Sequence, residues 1–247
     1  MGSAATFRFA GLTDIGRVRK NNEDAFKIAS LGDDRWVAVA DGCGGEAAGE
    51  VASSRALEVF EEEISREVQT ERDLAFVLRD AVVRANEVLL EEAQGERKGM
   101  ATTFSALYFR KDLAYSLHVG DSRIYRLQED RFELLTCDHT WVEYAVQAGR
   151  ITREEAEHHE RAGWLMQALG MAEFRAPDID FFPVKVGDRF LLCSDGLQKC
   201  VSDEEIAQAL ATGDEPERTC RYLIDQSLAR GAPDNVTVVV VYVEGEG

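Results

Sequence analysis

Basic residues are scarce in this 247-residue sequence: 28 Lys and Arg stand against 46 Asp and Glu, a formal charge of −18. A surface of that sign repels nucleic-acid phosphates and anionic membrane headgroups, so neither is expected as a partner. Prolines number only four and hydrophobic residues make up 45%. With no low-complexity tract either, the whole chain is expected to fold as one unit, without linkers. No apolar run reaches the roughly 18 residues of a membrane span, and the start lacks the basic and apolar regions of a signal peptide. The five cysteines, Cys43, Cys137, Cys193, Cys200 and Cys220, are odd in number and have no CxxC spacing. That argues against a disulfide framework and a zinc knuckle, and a cytoplasmic location is expected. The opening Met1-Gly2-Ser3 fits the loose N-myristoylation pattern, which is short enough to arise by chance.

What is present is strong periodicity. Leu74, Val77, Leu78, Ala81, Val82, Ala85, Val88 and Leu89 recur at helical spacing, as do Ala52, Ala56, Val59, Phe60 and Ile64 before them. Runs rich in β-branched and aromatic residues predict strands at 104–109, 114–119, 123–127, 189–193 and 236–243. Two further helices are expected over 203–211 and 217–229. Groups of strands interrupted by helix pairs argue for antiparallel sheets carrying helices on their outer faces, a layered α+β sandwich. The charged, turn-rich segment 138–164, with ITREEAEHH near its centre, reads as an excursion over the core, the kind of segment that borders a site.

Four aspartates stand at predicted strand ends. Asp41 closes WVAVAD before a turn in which four of eight residues are glycine, Asp121 follows AYSLHVG, Asp195 follows RFLLCS, and Asp234 precedes NVTVVVVYV. Taken singly, each is more ordinarily a turn residue. Taken together, carboxylates projecting from several strand ends can converge on one cavity, where hard divalent ions such as Mg²⁺ and Mn²⁺ would remove their repulsion. Glycine beside Asp41 would let the Gly42 carbonyl approach an ion. Arg19 and Glu23-Asp24, in RVRKNNEDAF, add a phosphate-sized cation and more carboxylates.

At this point the sequence resembles the metal-dependent protein phosphatases of the 2C type, in their bacterial single-domain form. The resemblance is carried in order by RKNNEDAF, VADGCGGEAAGEVAS, GMATTFSALYF, HVGDSRIYRL, LTCDHT, LMQALG, LLCSDGL and DNVTVVVV, and it spans nearly the whole chain. It implies a four-layer α-β-β-α sandwich over residues 1–247, with two mainly antiparallel sheets and a flap at about 138–164. It also implies hydrolysis of phosphoserine and phosphothreonine by a water or hydroxide bridging two Mn²⁺ or Mg²⁺ ions. Matched by position, Asp41 bridges both ions, Asp195 and Asp234 hold the first, and Glu23 with the Gly42 carbonyl holds the second. Asp121 and Asp195 match a third, more weakly held ion, and Arg19 is matched to gripping the phosphate.

Two positions depart from the family pattern. Cys43 stands where animal members have histidine and many bacterial ones methionine, so a metal-bound water is expected as proton donor to the leaving group. A neutral, buried Cys43 is expected ahead of a redox-active one. RAGWLMQALG replaces a stretch that usually holds asparagine and threonine, so Trp164 is expected to reshape the flap. None of His118, His139, His158 and His159 has zinc-ligand spacing. The resemblance implies a monomer acting on phosphorylated proteins and opposing a Ser/Thr kinase. A catalytically inactive phosphoprotein-binding scaffold of the same fold is the alternative.

Overall fold

The valine run after Asp234 shows how the layers are built, because both of its faces are buried. The computed structural model describes residues 5–44, 46–68 and 70–245. The Met-Gly-Ser start and Gly45 of the glycine-rich turn lie outside the described residues. Within them the order is β1 (Ala5–Asp14), β2 (Asp24–Leu31), β3 (Asp34–Cys43), α1 (Glu46–Glu67), α2 (Leu74–Glu92), β4 (Ala101–Thr102), β5 (Phe104–Arg110), β6 (Leu113–Val119), β7 (Arg123–Gln128) and β8 (Arg131–Leu134). There follow α3 (Trp141–Gln147), α4 (Arg153–Glu157), β9 (Asp178–Pro183), β10 (Arg189–Cys193), α5 (Asp195–Gln198), α6 (Asp203–Thr212), α7 (Pro216–Ala229) and β11 (Val236–Gly245).

One sheet has the order β1-β11-β10-β7-β8 and the other β2-β3-β5-β6-β9, with β4 paired to β3. On β11 the residues Val236, Val238, Val240 and Tyr242 meet Ile206, Leu210, Leu223 and Ile224 of α6 and α7. The alternate Val239, Val241 and Val243 face inward and meet Val37, Leu107 and Phe190 between the sheets. On β3 the same alternation turns Trp36, Ala38 and Ala40 towards α1 and α2, because successive strand side chains point to opposite faces. Small residues on α1, Ala52 and Ala56, let the helix approach, and Phe60 wedges between Trp36 and Phe104 at 5.2 and 4.9 Å between ring centres. The expected four-layer sandwich is therefore observed.

An unbroken apolar run does not by itself fix a register, since a one-residue slip exchanges one apolar face for another. Thr237 supplies the pin: its hydroxyl lies 2.7 Å from that of Thr13, and its N–H donates to Ser194 Oγ at 3.0 Å. This register brings the end of β10 beside the start of β11. In the other sheet Asp24 pairs with Asp41 and Phe104 with Val119. The ends of β1, β3, β6 and β10 and the starts of β2, β5, β7 and β11 thus lie at one end of the sandwich.

The excursion at 138–164 is a small unit tied down at its base. Trp141 N–H donates to Trp164 O at 2.8 Å, and Met166 N–H donates to His139 O at 2.7 Å. Its second helix, α4, begins with a reciprocal cap in which Thr152 and Glu155 satisfy each other's backbone N–H groups. Arg161 is stacked between Trp141 and Trp164, its guanidinium 5.0 and 4.8 Å from the two ring centres.

Candidate active site

Asp41 sits on the last rungs of β3 with its backbone clamped. Its N–H donates to Thr103 Oγ1 at 2.9 Å, and its carbonyl accepts from Thr103 N–H at 2.9 Å and from the Thr102 hydroxyl at 3.0 Å. The next residue has to be glycine, because a Cβ on Gly42 would stand 2.1 Å from Gly49 O and 2.7 Å from Glu23 O. Gly49 is constrained in the same way, as its Cβ would meet Glu23 Oε1 at 2.5 Å. The glycines of the turn therefore let Glu23, Gly42 and the first turn of α1 close together beside Asp41.

The other sheet contributes Asp195 and Asp234. Gly196 packs so closely on the second of these segments that a Cβ would lie 1.9 Å from Asn235 O. Asn235 fastens the Arg19–Glu23 loop to β11. Its Oδ1 accepts from Glu23 N–H at 2.9 Å, and its amide donates to Ile15 O and Asn21 O, each at 2.9 Å. Asp121 follows Gly120, whose φ of +107° makes the turn and whose missing Cβ would touch Thr103 Cγ2 at 2.6 Å. A cleft of about 750 Å³ opens here, with Asp121, Asp195 and Lys199 on the sandwich side and Thr140, Glu143 and Arg153 on the flap side.

Crowding of like charges shows in the acidities. Burial pushes Asp41 well above the usual carboxylate range, and Asp24, Asp195, Asp121 and Asp234 push it further. Burial, then Asp195, raises Asp121 to about 8. Burial raises Asp24 to about 6 despite the hydroxyls of Ser194 and Thr237. For Asp234 burial also acts upward, but Lys199 and Arg19 outweigh it and hold this carboxyl below its ordinary value. Lys199 Nζ lies 2.6 Å from Asp195 Oδ2 and 2.7 Å from Asp234 Oδ2, and Arg19 places Nε 2.8 Å from Asp234 Oδ1.

The carboxylates fit a hard cation. Six of them (Glu23, Asp24, Asp41, Asp121, Asp195, Asp234) share this end of the sandwich with two cations, Arg19 and Lys199; fully ionised, they would leave an excess of four negative charges, which two divalent ions would cancel. Asp24 Oδ1 and Asp195 Oδ1 are buried and accept no hydrogen bond. The carboxylates offer oxygen, the type that Mg²⁺ and Mn²⁺ prefer over the sulfur of nearby Cys43. Among the described residues no three His, Cys, Asp or Glu side chains are already set to hold an ion; Lys199 and Arg19 engage Asp195 and Asp234.

The predicted residues Glu23, Asp41, Gly42, Asp121, Asp195 and Asp234 are thus brought to one end of the sandwich. Arg19 reaches the same place but lies on Asp234 and 3.8 Å from Glu23, half-exposed at the rim. Cys43 is partly buried, and its surroundings favour the neutral thiol expected of it over a redox-active one. Burial, then Asp41, Asp121 and Glu23, pushes this thiol up to about 12. His118 is buried, and burial, then His139, pushes it down to about 3. His139 braces the Asp121 turn, its Nδ1 accepting from Gly120 N–H at 3.2 Å. Sequence reading missed Lys199 and Asn235. Reading SDGLQK as a helical turn would have placed Lys199 over Asp195, whereas DN before a strand is too common a turn dipeptide to single out Asn235.

The family described as Protein phosphatase 2C matches residues 16–230. The chain is 40% identical over 239 residues to the serine/threonine protein phosphatase PstP of Mycobacterium tuberculosis, covering 96% of this chain but 45% of that protein, so it spans about half the length of that relative. It is 33% identical over 234 residues to the serine/threonine phosphatase stp of Listeria welshimeri, covering 93% of each. A crystal structure of the catalytic domain of PstP in complex with two manganese ions matches with a TM-score of 0.85 at 38% identity, over 97% of this chain and 99% of that one.

Proposed function

The chain belongs to the protein phosphatase 2C family, and from that premise we propose that it is a metal-dependent phosphatase that hydrolyses phosphoserine and phosphothreonine in proteins. The observation that carries this reading is the convergence of Asp41, Asp195 and Asp234, from β3, α5 and the β11 approach, beside Glu23 and Gly42. Two Mn²⁺ or Mg²⁺ ions held there, with Asp41 shared between them and a third more weakly held by Asp121 and Asp195, would acidify water and offset phosphate charge. PstP, whose catalytic domain binds two manganese ions, supports the pair.

The chain's own residues do the rest. Glu23 and Asp41 are held by clamped backbone, so these two carboxylates are pre-positioned for an ion. The guanidinium fork of Arg19 donates to both oxygens of Asp234, from Nε at 2.8 Å and Nη2 at 3.0 Å, and on leaving them would offer the same geometry to two phosphate oxygens. Burial pushes Cys43 up to about 12, which makes it a poor proton donor, and His118 and His139 lie behind the Asp121 turn, so none of the three serves as proton donor to the leaving alkoxide. That proton comes from water in the cleft. The substrate's polypeptide lies in the cleft between the sandwich and the flap. A Ser/Thr kinase of the same cell supplies the phosphorylated protein, and five free cysteines suit a reducing cytoplasm. The catalytic unit acts as a monomer.

The test is turnover of p-nitrophenyl phosphate and a phosphothreonine peptide with Mn²⁺, Mg²⁺, Ca²⁺ or chelator, beside Asp41→Asn and Asp195→Asn. Mn²⁺-dependent turnover is expected, with each variant slowed on the order of a hundred-fold or more. Wild-type protein as inactive as the variants would favour the scaffold reading.

A further inference from the structure

Lys199 belongs to no part of the reading above, yet it makes the closest approach of any cation to the carboxylates. It caps the short helix that begins at Asp195, so its side chain folds back one turn onto that residue. A single Nζ lies 2.6 Å from Asp195 Oδ2 and 2.7 Å from Asp234 Oδ2. Arg19 does not take this place: its guanidinium lies on the Asp234 side, with Glu23 3.8 Å away. The ammonium sits between two carboxylates from different elements and bridges them.

A hard ion draws carboxylate oxygens to roughly 2.1 Å and admits no second cation between them. We propose that Lys199 is an internal counter-cation of the metal centre: it holds Asp195 and Asp234 together in the metal-free protein and is expelled when that pair takes its ion. Binding at this pair is then an exchange of one cation for another. The exchange weakens the site's affinity for metal and limits the damage of losing it, because the two carboxylates are never left facing each other bare. The expelled ammonium moves into the adjoining cleft, which Lys199 already lines with Gln198 and Asp121. This inference rests on the reading that Asp195 and Asp234 hold an ion.

The test is calorimetric titration of Mn²⁺ into chelator-stripped wild type, Lys199→Gln and Lys199→Arg, with thermal unfolding of each in the stripped and Mn²⁺-saturated states. Lys199→Gln is expected to bind Mn²⁺ roughly ten-fold or more tightly, to unfold at lower temperature than wild type when stripped, and to match it when saturated. Lys199→Arg should keep wild-type affinity more nearly. A second measurement needs no variant: acylation of Lys199 in the wild-type protein, read by peptide mass spectrometry, should rise on adding Mn²⁺ and fall again with chelator. Equal Mn²⁺ affinity in wild type and Lys199→Gln, or labelling indifferent to Mn²⁺, would overturn the exchange while leaving the metal site standing. Absence of Mn²⁺ binding by either protein would overturn both.

Discussion

Asp24 and Asp41 face each other across the β2–β3 ladder as one register pair, at the open end of the sandwich. Like charges directly opposite destabilise an antiparallel pair. Here the pair is tolerated because Ser194 Oγ donates to Asp24 Oδ2 at 2.7 Å and because the surrounding carboxyls bind protons more readily than usual. The site thus carries a standing electrostatic cost that cations or protons relieve.

The pH dependence of the metal-free protein follows from that cost. Burial, against the Ser194 and Thr237 hydroxyls, raises Asp24 from 3.8 to about 6, and burial, then Asp195, raises Asp121 to about 8. The folded state therefore holds protons that the unfolded chain has already released, and stability falls as pH climbs through this window. In chelator the unfolding midpoint is expected to be lower near pH 8 than near pH 5.5, and Mn²⁺ should remove most of the difference. Thermal unfolding followed by circular dichroism checks this, and a chelated protein that gains stability across the range would refute it.

Gly42→Ala tests the close approach on which the turn depends. The new Cβ would lie 2.1 Å from Gly49 O and 2.4 Å from Gly49 C, and backbone atoms can yield only by parting β3 from α1. The expected loss is about 1–3 kcal/mol of stability, together with much weaker Mn²⁺ binding. Gly163→Ala, where a Cβ meets nothing within 4 Å, is the control and should be neutral in both denaturant titration and Mn²⁺ calorimetry.

Cys43→Ser is expected to leave turnover within a few-fold of wild type, since a thiol pushed up to about 12 by burial and then by neighbouring carboxylates is too weak an acid to be the needed proton donor. For the same reason, peroxide treatment of the metal-free protein over minutes should leave intact the activity regained on adding Mn²⁺, as a protonated thiol is a poor nucleophile. Loss of turnover in the serine variant with unchanged Mn²⁺ affinity would make Cys43 a proton donor after all.

The legible parts of the fold were the elements buried on both faces or along a full stripe. β3, β5, β10 and β11 and the helices α1, α2, α6 and α7 announce themselves because most of their neighbours are apolar. β1, β2 and β9 are half-exposed, and residues such as Arg8, Lys27 and Asp180 dilute their patterns, so sequence periodicity passed over them. The carboxylates were legible because aspartate at a strand end recurs four times. Asn235 was not, and of Lys199 only its i,i+4 contact with Asp195 has a local pattern; the contacts of Lys199 with Asp234 and of Asn235 with the Arg19–Glu23 loop come from the register that sets α5 against the β11 approach.

Trp164 offers a way to separate the flap from the chemistry. Its backbone is anchored independently of its side chain, the carbonyl accepting from Trp141 N–H at 2.8 Å, while the residue is 57% exposed. Arg161 lies 4.8 Å from that ring and 5.0 Å from Trp141, so removing one indole leaves the guanidinium stacked on the other. An exposed contact of this kind contributes about 0.5–1 kcal/mol, too little to unfold the flap. Ala162 and Gly163, the two residues before Trp164, line the cleft, so a loosened flap reaches a bound polypeptide before it reaches the carboxylates. Trp164→Ala is therefore expected to leave kcat on p-nitrophenyl phosphate nearly unchanged and to raise KM for a phosphothreonine peptide several-fold. Equal losses on the small ester and the peptide would place Trp164 with the catalytic groups instead of with substrate binding.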